Sequence, residues 1–316
     1  MSRLHYHTAG ESHGPAMVAV VEGLPTGLPI DVAFIDGELR RRQGGYGRGG
    51  RQRIERDAVE VLAGLRQGRT TAGPLAMAIR NRDNRIDDAE RTPPVTRPRP
   101  GHADLAGSLK FLTEDCRDVI ERSSARETAA RTAAGAAARS LLRHFGIEAF
   151  AFLRGALDVV ADVEIDAGDL ARMREARDRS DLLCPDEAAS EAIRARIRQA
   201  KEDRDTVGGL IEVHVFGVPP GLGGCGGGED RLDARLGAAV LGVQAMKSVE
   251  IGLGRETARR RGSEVHDPIA FDPARVGESN LGFHRPTNHA GGVEGGMSNG
   301  MPIVVTAAMK PISTLL

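Results

Sequence analysis

Two histidines set among glycines, and a dense population of arginines, are the residues of this chain best suited to chemistry. His13 lies in GESHG at 10–14, between small residues that leave its imidazole room to reach a ligand. An imidazole in such a loop exchanges a proton near neutral pH, which suits a general acid. The same five residues fit G-x-S-x-G, with Ser12 as a hydrolase nucleophile. That elbow needs a strand, a turn and then a helix. Here Pro15 leads into MVAVV at 17–21, which prefers a strand, so the elbow fits poorly. His102 lies in RPGHAD at 99–104, where Pro100 and Gly101 make a tight turn that aims Arg99 and His102 in set directions.

Anion binding is the second theme. In RSSARET at 122–128, Ser124 and Glu127 have the spacing of a capping box, with Ser124 as N-cap and Glu127 at the third helical position. The alanine-rich stretch 128–145 is predicted helical and closes at Gly146. Free N–H groups at such a terminus, flanked by Arg122 and Arg126 and by the hydroxyls of Ser123 and Ser124, suit a phosphate or carboxylate. Arg40, Arg41, Arg42, Arg48, Arg51, Arg53 and Arg56 place seven arginines within seventeen residues, interleaved with glycine. That run is either an RGG-type RNA segment, a clamp on a small polyanion, or a solvated basic loop. TNHAGGVEGGMSNG at 287–300 holds five glycines, which let backbone amides approach a ligand closely. His5 with His7, and Glu264 with His266 and Asp267, lack a convincing third ligand, so core or hydrogen-bonding roles are expected there and no metal site.

These segments need a scaffold. At 316 residues the chain can bury a large core. A formal net charge of −1 exerts no global pull toward nucleic acid, and the absence of Trp with only two Tyr argues against base-stacking platforms. Cys116, Cys184 and Cys225 lie far apart without zinc spacing, and no apolar run reaches spanning length, so a reduced cytoplasmic protein with no membrane association is expected. Strands are predicted at 17–21, 59–62, 75–79, 149–153, 159–165, 210–218 and 302–309. Helices are predicted at 30–42, 128–145, 186–204 and 232–246. The proline-rich stretch 81–106 reads as a long loop, and 221–228 as a glycine loop. Hairpin-like pairs outnumber βαβ units, which favours an α+β fold, and no shift in composition marks a linker, so one domain over 1–316 is expected.

Taken in order, GESHG at 10–14, RRQGGYGRG at 41–49, RPGHAD at 99–104, RSSARETAARTAAG at 122–135, QAMKSVEIG at 244–252, GSEVHD at 262–267, TNHAGGVEGGMSNG at 287–300 and KPISTL at 310–315 resemble the chorismate synthase family along the whole chain. The resemblance implies a β-α-β sandwich with helices packed between antiparallel sheets. It implies an anti-1,4-elimination of the 3-phosphate and the C6 proR hydrogen from 5-enolpyruvylshikimate 3-phosphate, requiring reduced FMN, in a homotetramer. On that basis His13 protonates the departing phosphate and His102 serves the reduced flavin. Arg42, Arg48, Arg99 and Arg126 bind substrate, and Arg42 and Arg48 also meet NADPH where NADPH is the reductant. Arg122, Ser123, Ser124, Gln244, Ala245, Gly295, Lys310, Pro311, Ile312, Ser313 and Thr314 bind the flavin. The family continues beyond KPISTL into a segment with an Arg-Ser-Asp motif, so the chain is expected to be C-terminally incomplete and weakened in flavin binding. The rival classes are a serine hydrolase on Ser12 and an RNA binder on Arg40–Arg56; each uses one segment and leaves the others idle.

Overall fold

The fold is that of a computed structural model, which describes residues 4–47 and 54–313. The chain divides into two units, Met1–Phe145 and Gly146–Leu316.

In the first unit, β1 (His5–Ala9), β2 (Ala16–Glu22), β3 (Glu60–Ala63), a small hairpin of β4 (Leu65–Arg66) and β5 (Arg69–Thr70), and β6 (Leu75–Arg80) are joined by the helix α1 (Val32–Gln43) and followed by α2 (Asp104–Phe111), α3 (Arg117–Ser123) and α4 (Thr128–His144). Four strands form an antiparallel sheet in the order β1-β2-β6-β3. Alternation along β2 turns Met17, Ala19 and Val21 inward, beside Leu75, Met77 and Ile79 of β6. Asp31 caps α1, its side chain accepting from the Phe34 N–H at 3.2 Å, and Ile35 and Leu39 bury one stripe of that helix. Ala129, Ala130, Ala133, Ala134, Ala136 and Ala137 of α4 complete this core. Their short side chains let the helix lie close to the sheet and to α1, where the Arg143 guanidinium stacks 4.0 Å from the Phe34 ring centroid.

The second unit contains β7 (Glu148–Ala156), β8 (Val159–Val160), α5 (Leu170–Arg179), α6 (Glu187–Glu202), β9 (Gly209–Phe216), α7 (Leu232–Leu241), β10 (Met246–Ile251), α8 (Gly262–Val265), two short hairpins β11 (Ala270–Phe271) with β12 (Phe283–His284) and β13 (Val293–Glu294) with β14 (Met297–Ser298), and β15 (Ile303–Met309). Its antiparallel sheet runs β10-β15-β9-β7-β8. Phe150, Phe152, His214 and Phe216 stack in succession across β7 and β9 at centroid distances of 5.6, 6.2 and 6.0 Å, and Met173 of α5 joins the two buried phenylalanines.

Most of the predicted elements are present, with three corrections. The strand expected over 159–165 holds pairing only at Val159–Val160. The helix expected over 232–246 stops at Leu241, because Gly242 and a left-handed Ala245 (φ +70°) turn the chain and Met246 opens β10. Before α4, residues Ala125–Glu127 form a 3₁₀ turn, and the predicted capping box is only half made. Ser124 Oγ accepts from the Arg126 N–H at 3.3 Å, while the Glu127 carboxylate accepts instead from Thr8 and Arg131. Among the described residues no helix is long and apolar enough to cross a membrane.

Because Ala133 is fully buried, enlarging it to leucine overpacks the contact between α4 and its sheet. Ala133→Leu is expected to destabilise the protein by about 1–3 kcal/mol, read as a lower urea midpoint at unchanged slope.

Candidate functional site

The loop 10–14 is held from two sides. Asn81, just past β6, donates its side-chain amide to the carbonyls of Glu11 (3.1 Å), Ser12 (3.2 Å) and Gly14 (2.6 Å). From α3, the Glu121 carbonyl accepts from the Ser12 N–H at 3.0 Å, and the Glu121 carboxylate accepts from the His13 N–H at 2.7 Å. The same carboxylate lies 2.9 and 3.0 Å from His13 Nδ1. A carboxylate offers only acceptors, so Nδ1–H is the donor and Nε2 is the nitrogen that faces outward. Near Nε2 stand Arg85 Nη2 at 3.4 Å and Asp83 Oδ2 at 3.6 Å. The hydrolase reading fails here: GESHG runs straight into β2, and Ser12 is buried with its Oγ 3.1 Å from Ser124 Oγ.

His102 repeats the arrangement at the start of α2. Its Nδ1 is hydrogen-bonded to Asp104, whose carboxylate also takes Arg99 Nε at 2.8 Å, Arg99 Nη2 at 3.1 Å and the Arg99 N–H at 3.0 Å. Burial alone would raise the Asp104 pKa. The bonds and charge of Arg99, with a smaller contribution from His102, outweigh it and bring the carboxyl down to about 2. The His13 and His102 side chains are 18% and 19% exposed, each sealed on its Nδ1 edge by a carboxylate with no exposure of its own.

The arginines separate into inward and outward members. Arg126 is buried: Nη1 donates to both Asp57 oxygens (2.7 and 2.8 Å) and Nε to Asn81 Oδ1 (2.8 Å). Arg42 Nε donates to Thr128 Oγ1 and Nη2 to the Ala125 carbonyl, both at 2.9 Å, with Asp57 at 3.4 Å from Nη1. Arg122 is exposed, its Nη2 anchored on the Thr8 carbonyl and hydroxyl at 2.9 and 3.0 Å. Ser123 Oγ donates to the Val119 carbonyl at 2.5 Å. Arg48 lies outside the described residues. This unit thus brings together His13, Arg42, Arg122, Ser123, Ser124 and Arg126, with His102 and Arg99 on a node of their own. Of the partners that sort them, Asp104 lies within RPGHAD, whereas Asp57, Asn81 and Glu121 carry no sequence signature, because a buried polar side chain is spelled like a solvated one.

In the second unit, Lys310 N–H donates to the Ala245 carbonyl at 2.9 Å, so Gln244, Ala245 and 310–313 meet where β10 begins and β15 ends. Lys310 Nζ reaches Ser313 Oγ at 2.9 Å, and the Ile312 carbonyl accepts from Thr206 Oγ1 at 2.9 Å, with Pro311 between them. Thr314 lies outside the described residues. Gly295 is placed apart from this group. It sits in the β13–β14 turn, whose Gly296 carbonyl accepts from the Leu232 N–H at the start of α7, whereas Gln244 follows the other end of that ten-residue helix, about 15 Å away. Asp267 organises the glycine-rich stretch by accepting from Thr287 Oγ1 (2.5 Å), His289 N–H (2.8 Å) and Ala290 N–H (2.9 Å). Burial opposes its ionised form, yet these three donors hold its pKa below the usual value. Gly252, at φ +57°, crosses this stretch so closely that a Cβ would stand 2.1 Å from the His289 carbonyl oxygen. Among the described residues, no group of three or more His, Cys, Asp or Glu could hold a metal ion.

Comparison with known proteins agrees along the chain. A family model described as chorismate synthase matches residues 4–316. The chorismate synthase of Pelobacter propionicus is 49% identical over 322 residues, covering 99% of this chain and 81% of that protein. That of Rubrobacter xylanophilus is 51% identical over 321 residues, covering 99% and 80%. A crystal structure of chorismate synthase superposes with a TM-score of 0.84 at 39% identity, over 98% of this chain and 86% of that one.

The Asp104 node carries a pH signature. Its carboxyl falls from 3.8 to about 2 on folding, so it stabilises the fold above pH 4, and that contribution fades as pH drops from about 4 to about 2. Asp104→Asn is expected to cost roughly 2 kcal/mol in urea unfolding at pH 7. The gap from wild type should close toward pH 2.

Proposed function

The chain belongs to the chorismate synthase family, and from that premise we propose which of its side chains carry the family's reaction. That reaction is the anti-1,4-elimination of the 3-phosphate and the C6 proR hydrogen of 5-enolpyruvylshikimate 3-phosphate, with reduced FMN as the required cofactor. We take all 316 residues as one catalytic domain, acting on that substrate in a cytoplasmic homotetramer.

His13 is the acid. Its Nε2–H delivers a proton to the departing phosphate oxygen while Nδ1–H stays on Glu121. Arg42, Arg48 and Arg99 hold the substrate's phosphate and carboxylates, groups that planar guanidinium forks match in pairs. Arg126 joins this set from behind, since its guanidinium is turned to Asp57 and Asn81 and fixes the floor on which the loop 10–14 rests. Where NADPH supplies the electrons, Arg42 and Arg48 meet it.

The residues present suit a flavin phosphate and ring. Arg122 offers an exposed cation beside the hydroxyls of Ser123 and Ser124. In the second unit Gly295 has open space where a side chain would stand, and the family resemblance assigns Gln244, Ala245 and the run from Lys310 to Thr314 to the flavin as well. His102, held by Asp104, serves the anionic reduced ring. When bound, reduced FMN lends electron density to carbon–oxygen cleavage and regains it, so the reaction has no net redox change.

The observation that carries this reading is the pair of imidazoles, each pinned at Nδ1 by a buried carboxylate and each part-exposed, in a unit rich in arginine. The test is an anaerobic assay with 5-enolpyruvylshikimate 3-phosphate and chemically reduced FMN, following chorismate absorbance and phosphate together. Equal appearance of both is expected. His13→Ala and His102→Ala should each lower kcat by about 100- to 10,000-fold. Wild-type turnover in either variant would remove that histidine from the chemistry, and NADPH with oxidised FMN in place of reduced FMN would show whether the chain reduces its own flavin.

A further inference from the structure

His13 is sandwiched, and the group behind it is the more constrained of its neighbours. Glu121 has an unexposed side chain on α3, one residue before the exposed Arg122. Burying a carboxylate is costly unless each oxygen is well satisfied. Glu121 meets that demand almost wholly through one residue: Oε2 accepts from the His13 backbone N–H at 2.7 Å, and Oε1 takes Nδ1–H at 2.9 Å. Arg117 Nη1, one helical turn back, stands at 3.7 Å from Oε1. The contact spans 108 residues, so local sequence does not produce it.

This grip has two consequences for the imidazole. A two-point contact, backbone and ring, fixes χ1 and χ2 together, so the ring cannot flip without breaking a buried charged bond. With Nδ1 committed to an acceptor, the exchangeable proton of a charged imidazole sits on Nε2, the nitrogen beside Arg85 and Asp83.

We propose that Glu121 is the positioning residue for His13, setting which nitrogen carries the transferable proton and holding the ring in its working orientation. The inference rests on the reading of His13 as the acid. Glu121 touches no substrate in this role. Its effect therefore reaches the reaction only through the imidazole, and that makes it separable from a merely structural carboxylate.

The experiment is a double-mutant cycle on the full chain loaded with reduced FMN and 5-enolpyruvylshikimate 3-phosphate, comparing wild type, Glu121→Gln, His13→Ala and the double variant. In the wild-type background Glu121→Gln is expected to lower kcat about 10- to 100-fold, the usual cost of losing a partner that orients a working histidine, with KM within about threefold. In the His13→Ala background the same change should leave the residual kcat within about twofold. Should the glutamine variant fail to fold, Glu121→Asp keeps the charge but withdraws it by one methylene, and the same pattern is expected of it. An equal loss of kcat in both backgrounds would assign Glu121 to general structure and overturn the proposal, as would a loss below twofold in wild type. Full turnover in His13→Ala would instead remove the acid itself, and is recognisable without either Glu121 variant.

Discussion

The buried guanidinium of Arg126 is the constraint on which the first unit is organised. A charge removed from water demands partners, and breaking one such pair by deleting a single member costs about 3–5 kcal/mol. Here the partners come from two places: Asp57 beyond the basic loop, and the end of β6, where Asn81 Oδ1 and the Arg80 carbonyl accept. Asn81 passes the constraint on, since its oxygen is taken by Arg126 and its amide is left to hold three carbonyls of the loop 10–14. The start of α4, the end of β6 and the histidine loop are thereby locked into one arrangement. Asp57 lies also within reach of Arg42, which ties the end of α1 to the same point.

On that frame the arginines divide their labour. A protein of near-zero net charge still lines one region with guanidinium groups, because carboxylates neutralise the inward ones and leave others exposed. Asp57 and Asp104 are the neutralising partners, and Glu121 does for His13 what Asp104 does for His102. Each histidine therefore has its Nδ1 occupied and its ring fixed before any ligand arrives. Preorganisation of this kind lowers the reorganisation needed in the transition state.

The second unit solves a different problem with backbone rather than charge. Its glycine-rich stretch would be a loose coil if left alone. Asp267 gathers three donors from 287–290, Asn288 joins Gly292 to the Pro302 carbonyl, and the Gly252 backbone crosses at a distance no side chain could share. The stretch becomes a shaped surface at one end of β15, while Ala245 and Lys310 shape the other.

Local physics made much of this legible in the sequence. The strands β2 and β6, the alanine helix with its glycine stop, and the ordered run of motifs that marks the family all depend on neighbours within a few residues. His13 and His102 stood out because glycine and proline frame them. Long-range burial was not legible. Arg126 reads as an outward cation beside a helix start and is instead turned inward. The second half of the capping box is lost because Glu127 finds Thr8, 119 residues away, and Arg131. The separation of Gly295 from Gln244 follows from the placing of the β13–β14 turn at the far end of α7. Sequence by itself determined which residue types were available and what each short segment prefers. Only the tertiary structure decided which carboxylate meets which cation, because that choice depends on desolvation, and a side chain is desolvated by the whole fold rather than by its neighbours in the chain.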